Sequence, residues 1–180
     1  MSIFMHRLIQ HNLLHHVCYT DIHMEQIFDA QTITFITKLS LAMLFGMVIG
    51  TERLLAHKTA GMRTYALISM GSALFIIISI LVSTQYVGIV NFDPLRLAAQ
   101  VVAATGFLGA GLIFVKNGSV TGFTTSTGLW VSAAIGVATG FGLYKLAFVA
   151  TMLVLFIFIV LWFLEQRLRK TAFFDSMPME

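Results

Sequence analysis

The chain has 180 residues, 58% of them hydrophobic and only 11% charged, with a net charge of +3 and a mean hydropathy of +0.89. Soluble domains carry about 25% charged residues, so a chain this apolar cannot cover itself with a water-compatible surface. Its solvent is lipid, its length allows one domain, and no nucleic-acid signature is present.

Residues 1–32 form an N-terminal extension. It holds Arg7, the single cysteine Cys18 and scattered histidines, and its apolar stretch is interrupted at His11, Asn12, His15 and His16. No small-residue cleavage pattern follows, so it does not read as a signal peptide. Met24 is an alternative start, because the segment that begins there reads as the normal opening of a membrane protein. His11 and His15 stand four apart, a helical spacing able to hold a metal. They have no acidic partner nearby, so the metal question stays open. One cysteine permits neither an intrachain disulfide nor a cysteine metal cluster.

Crossing about 30 Å of hydrocarbon takes roughly 20 apolar residues in a helix. Charges cut the chain into five such runs, 33–50, 65–83, 97–115, 123–143 and 147–164. They are too long and continuous for barrel strands. The expected fold is therefore all-α, a polytopic membrane protein of about five transmembrane helices over 33–164. In the first run Lys38 can snorkel, and Gly46 and Gly50 stand at GxxxG spacing. Before the third, Asp93 reads as an N-cap, with Pro94 at the first helical position. The third and fourth runs are rich in small residues, among them Gly106, Gly109, Gly111 and Gly136. Small residues let helices approach closely in lipid, so runs one, three and four are expected to form the packed centre. KNGSVTG separates runs three and four by its turn residues. The hydroxyls of Thr124–Thr127 suit a helix entry. Run five is bulky throughout, as a lipid-facing helix would be. Residues 165–180 form a short basic tail with Arg167, Arg169 and Lys170.

Lysine and arginine set orientation. Arg53, Lys58, Arg63, Lys116 and the tail fall on one side of a five-span chain, against Arg96 and Lys145 on the other. The expected arrangement is a bacterial inner-membrane protein with a cytoplasmic C-terminus and a periplasmic N-terminus.

Ionisable groups at the hydrocarbon edge require pairing or hydration. The functional polar candidates are Glu52, Arg53, Arg63, Thr64, Asp93, Arg96 and Gln100. A Glu52–Arg63 pair could close across the short loop, and Asp93 and Arg96 are three apart on one helix. Gln100 and Thr105 suit interhelical hydrogen bonds. The alternative for all of these is a role as caps and interface anchors. No Ser–His–Asp set, HExxH, P-loop or dinucleotide motif occurs, so neither catalysis nor a cofactor is expected.

Two blocks carry a family resemblance. LAMLFGMVIGTERLLAHKTAGMRTYALISMGSALF at 41–75 and DPLRLAAQVVAATGFLGAGLIFVKNGSVTGFTTSTGLWVSAAIG at 93–136 resemble the MgtC/SapB family of bacterial membrane proteins. The first block has Gly-x-Glu-Arg, Ala-Gly-x-Arg-Thr and Gly-Ser-Ala-Leu-Phe in order. The resemblance, over residues 33–164, implies a bundle of about five helices. The family's characteristic polar positions fall on Glu52, Arg53, Gly61, Arg63, Thr64, Asp93, Arg96 and Gln100. Some members add a soluble ACT-like domain. This sequence ends at Glu180, as expected of a short SapB-type member without that domain. The resemblance also implies a link to magnesium limitation, stress adaptation and virulence, through modulation of other membrane machinery.

Two functions compete. One is a non-enzymatic modulator that docks through small-residue faces as a homodimer or in a larger membrane complex. The other is a transporter or channel for Mg2+ or another small solute. Mg2+ prefers oxygen ligands and keeps several waters, and Asp93 and Glu52 could attract it at the two mouths.

Overall fold

A computed structural model describes residues 30–85, 93, 95–116 and 118–170. The expectations placed on His11, His15, Met24, Pro94 and residues 171–180 lie outside the described residues. The chain divides into two units, Met1–Thr37 and Lys38–Glu180. Of the first, only the opening turns of a helix are described.

That helix is α1 (Ala30–Leu55), followed by α2 (Met62–Gln85) and α3 (Leu95–Ala110). A hairpin of β1 (Phe114–Lys116) and β2 (Ser119–Thr121) leads into α4 (Phe123–Gly140). The last helix opens as α5 (Tyr144–Phe156), widens to a π-helical turn over Ile157–Leu161, and continues as α6 (Trp162–Lys170). The all-α membrane fold read from composition is the fold observed. Three stretches, Ala30–Leu55, Met62–Thr84 and Tyr144–Leu168, are long and apolar enough to cross a bilayer, and α3 is a shorter apolar helix.

Each terminus has a local cause. At the end of α1 the Lys58 N–H donates to the Arg53 carbonyl and the His57 N–H to the Leu54 carbonyl, around a left-handed His57 with φ 55°. This is a Schellman closure. The same pattern closes α4, where Gly142 takes φ 82° and Leu143 N–H reaches the Ala138 carbonyl. The α3 helix starts where the Asp93 carboxylate accepts the Leu95 N–H at 2.9 Å, as expected of an N-cap.

Several boundaries and one packing expectation are corrected. α1 runs on through Glu52 and Arg53, and the expected basic tail begins as helix up to Lys170. The third apolar run stops being helical at Ala110, and its last residues enter β1. β1 pairs antiparallel with β2 in the register Phe114–Thr121, Val115–Val120, Lys116–Ser119. An Asn-Gly pair between segments that alternate apolar and polar residues, here Val115–Lys116 and Ser119–Val120, is a strong hairpin signal. Here it prevails over apolar continuity.

The packed centre is not runs one, three and four. α3 buries only Val101, Thr105 and Gly109. α2 buries Tyr65, Ala66, Ser69, Ser72, Ala73, Ile76, Ile77 and Ser79, and lies between α1 and α4. Its serines and alanines are scattered among isoleucines, so the helix reads as greasy although its small residues share one face. The crossings are backbone-close. A Cβ on Gly50 would stand 2.6 Å from the Met62 Cα, and one on Gly46 would overlap the Tyr65 carbonyl oxygen. From the other side, a Cβ on Gly136 would overlap the Ser69 carbonyl oxygen, and one on Gly140 would stand 2.8 Å from the Ile76 Cβ. Ser69 is fully buried at this double crossing, and its hydroxyl has no hydrogen-bond partner.

α5 buries a single stripe of Ala147, Thr151 and Val154, continued by Phe158, and presents bulky residues elsewhere. Buried hydroxyls of Thr105, Thr139 and Thr151 bond their own helix four residues back, which removes the cost of polar atoms inside an apolar bundle. At one end of the bundle Lys38 Nζ donates to the Gly140 carbonyl at 2.9 Å, a cation on a helix C-terminus.

Candidate functional site

The other end of the bundle holds the densest polar chemistry. The last turn of α1 supplies Glu52 and Arg53. Arg53 is 3% exposed, an unusual position for a guanidinium. Adjacent helical residues point away from each other, yet Arg53 bends back so that its Nε and Nη2 both donate to the Glu52 carboxylate, Nη2 at 2.7 Å. The flat guanidinium then covers the Phe158 ring, with Cζ 3.6 Å from the ring centre. Fork-to-carboxylate pairing and stacking on an aromatic face are what arginine does and lysine cannot. They also explain why this charge can be buried.

Phe158 comes from the π-helical turn, the one interruption in a helix otherwise closed at four-residue spacing. Such widened turns recur at functional sites. The edge of Phe158 lies against Gly128, where a Cβ would stand 2.8 Å from the Phe158 Cζ and 2.5 Å from the Tyr65 hydroxyl. That hydroxyl donates to the Thr125 carbonyl at 3.0 Å. Ser132 donates to the Tyr65 carbonyl at 3.3 Å. Glu52, Arg53, Phe158, Gly128, Tyr65 and Thr125 therefore form one continuous cluster that ties α1, α2, α4 and the last helix together.

Two cavities flank Phe158 and share Ala56, Phe158 and Trp162. One, about 700 Å3, is largely apolar, lined by Val48, Leu155 and Ile159 with Thr51, Glu52 and His57. The other, about 430 Å3, is polar and includes Arg53, Lys58, Thr124, Glu165 and Gln166. The end of α1, the start of α4 and the end of the last helix thus meet at one end of the bundle.

Of the candidate polar residues, only Glu52 and Arg53 are brought together. The anticipated Glu52–Arg63 pair does not form, because Arg53 takes the carboxylate and Arg63 and Thr64 are exposed. Asp93, Arg96 and Gln100 are also exposed, at the start of α3. The Asp93–Arg96 link is a backbone one, the Arg96 N–H donating to the Asp93 carbonyl at 3.1 Å. α3 spans about 24 Å, and its far end meets the start of α4, where a Cβ on Gly109 would stand 2.5 Å from the Ser126 Oγ. Asp93 therefore lies a helix length from Glu52. Gly46, Gly50, Gly109 and Gly136 sit at close approaches, whereas a Cβ on Gly106 meets nothing within 4 Å and one on Gly111 only the Leu108 carbonyl oxygen of its own turn. Sequence reasoning did not single out Tyr65 or Phe158, and it took Thr125 only as part of a helix entry and Gly128 only as one of many small residues. Neither period nor motif marks them, because they belong to four different segments. Among the described residues no group of three His, Cys, Asp or Glu could hold a metal.

A membrane-spanning helix bundle whose buried Arg–Glu pair closes one end defines a class of polytopic membrane protein, and comparison with known sequences narrows it. The MgtC family matches residues 39–167, and the chain belongs to that family. It is 47% identical over 135 residues to the Escherichia coli K12 protein named "Putative magnesium transporter YhiD", covering 71% of this chain and 61% of YhiD. Protein SapB of Bacillus subtilis is 43% identical over 136 residues, covering 74% of this chain and 57% of SapB. Protein MgtC of Brucella abortus is 45% identical over 114 residues, covering 63% of this chain and 45% of MgtC. The chain thus spans roughly half to three-fifths of the length of these relatives. No solved structure matches.

Proposed function

We propose that this protein is a non-enzymatic modulator of membrane physiology under magnesium limitation or related stress, acting in the bacterial inner membrane through contacts with another membrane component. The observation that carries this reading is the distribution of charge. Only Glu52, Asp93 and Glu165 among the acidic residues fall in the described part. Glu52 is committed to Arg53, and Asp93 to capping α3. In the spanning stretches the buried hydroxyls of Thr105, Thr139 and Thr151 bond their own backbone and those of Tyr65 and Ser132 bond carbonyls of neighbouring helices. Meanwhile α3 and the last helix expose long faces on which a homodimer or a larger complex could be built. The printed name of the Escherichia coli relative, a putative magnesium transporter, supplies the magnesium context.

Orientation belongs to the same proposal. Arg53, Lys58, Arg63 and Arg167 lie at the cluster end with the end of the last helix, against Lys38, Arg96 and Lys145 at the other. This supports a cytoplasmic C-terminus by the positive-inside rule. A phosphatase fused there should be silent and a fluorescent protein bright.

The second reading, Mg2+ transport, is favoured by one observation, the cavity that opens beside the Glu52 carboxylate. Purified protein in vesicles loaded with a magnesium-sensitive dye separates the two. The modulator reading expects no uptake above empty vesicles. Uptake that falls in Glu52→Gln would establish transport instead.

A further inference from the structure

The β1–β2 hairpin is not absorbed by the cluster or by the bundle. It is a two-stranded ribbon with three residues in each strand. Such a ribbon is marginal in water unless one face packs on something. Val115 and Val120 are directly paired across it and so share one face. They are 70% and 51% exposed. At its base Phe123 is also exposed. Lys116 and Ser119 form the last pair of the ribbon, and the sequence between Val115 and Val120 is polar.

The level of the hairpin in the bilayer follows from length. α3 has 16 residues and rises about 24 Å, against about 30 Å of hydrocarbon. The hairpin continues directly from α3, with the Leu112 and Ile113 N–H groups still bonded to the Gly109 and Ala110 carbonyls. Its base is therefore at the edge of the hydrocarbon rather than out in water. Two opposing terms fix its depth. Exposed valines favour leaving water. The outer edges of a two-stranded ribbon carry unpaired N–H and C=O groups, which cannot enter hydrocarbon. Both are satisfied only in the hydrated boundary between headgroups and acyl chains.

We propose that the β1–β2 hairpin is a membrane-interface anchor, its Val115–Val120 face resting on phospholipid in the leaflet at the Arg53 end of the bundle. The occupant is lipid rather than protein because the hairpin is held at bilayer level by α3 and α4, and because exposed Val115, Val120 and Phe123 give it an apolar surface at that level.

Single cysteines at Val115→Cys, Val120→Cys and Ser119→Cys, in a Cys18→Ser background, would carry an environment-sensitive fluorophore in phosphatidylethanolamine–phosphatidylglycerol vesicles. The expected result is several-fold stronger quenching of labels 115 and 120 by a spin label near the head of the acyl chain than by aqueous iodide, with the order reversed at 119. Iodide quenching of 115 and 120 equal to that of 119 would overturn the proposal. Shielding seen in vesicles but lost in nanodiscs holding one copy would also overturn it, assigning the face to a second chain. The unaltered protein gives an independent reading. A photoreactive phospholipid with its reactive group near the headgroup should label peptides containing Val115 and Val120, and failure to label them while it labels the last helix would refute the anchor.

Discussion

α3 and α4 are built from the same kinds of residue and meet opposite fates. Both are dense in glycine, alanine and threonine, the composition that permits close helix contact in lipid. α4 buries nine of its 18 residues, and at Gly128, Gly136 and Gly140 it touches Phe158 or the backbone and side chains of α2 so closely that a methyl group has no room. α3 buries three residues, turns Gly106 to open space, and presents Phe107, 82% exposed, on its outer side. Small residues confer the capacity for a seam. The neighbouring helix decides whether that capacity is used.

The contrast can be broken most directly by adding bulk. Gly136→Leu should abolish a monodisperse bundle in mild detergent, because its first carbon already overlaps the Ser69 carbonyl. Gly106→Leu should elute as the parent does. Gly106 borders a cleft of about 200 Å3 shared with Ser126, Thr127 and Trp130 of α4, which leaves room for the larger side chain. Gly46→Leu should behave as Gly136→Leu does, since it meets α2 from the opposite side.

Next in size is the charge cluster, which α4 supports and α3 does not reach. Arg53→Ala leaves Glu52 without its partner and Phe158 without its lid. Removing one member of a buried pair costs about 3–5 kcal/mol. Glu52 retains partial exposure, with 16% of its side chain accessible, so the lower end of that range is expected, read as a fall in thermal stability. Arg53→Lys should recover part of the loss but not all, because an ammonium offers neither the fork nor the flat face.

A smaller effect tests the α2–α4 contact alone. Tyr65→Phe removes the hydrogen bond to the Thr125 carbonyl, and the expected loss is about 1 kcal/mol with the aromatic packing intact. Smallest is Gly106→Ala, on a helix surface with room for the methyl group. It should be neutral or slightly stabilising, since alanine is the better helix former by up to about 1 kcal/mol. A clear loss there would place a neighbour against α3.

The membrane class, the apolar segments and the helix start at Asp93 were legible because each rests on local chemistry: run length against bilayer thickness and a capping carboxylate. Glu52 and Arg53 stood out because charge beside a long apolar run demands a reason. Their mutual pairing did not, since neighbours on a helix normally diverge and Arg63 offered an equally reasonable partner. The hairpin was legible in principle, in Asn117–Gly118 between Val115–Lys116 and Ser119–Val120, but the unbroken apolar run through Val115 outweighed it.

What the amino-acid order determined by itself was solvent, segment number and where charge must stop, because transfer to lipid is a sum over residues and does not depend on who the neighbours are. The tertiary structure decided which small-residue face is a seam, which helix lies at the centre, and that Tyr65, Gly128 and Phe158 gather around Arg53. Those outcomes depend on complementary surfaces of segments far apart in the chain, and close packing is a property of pairs that no single segment encodes.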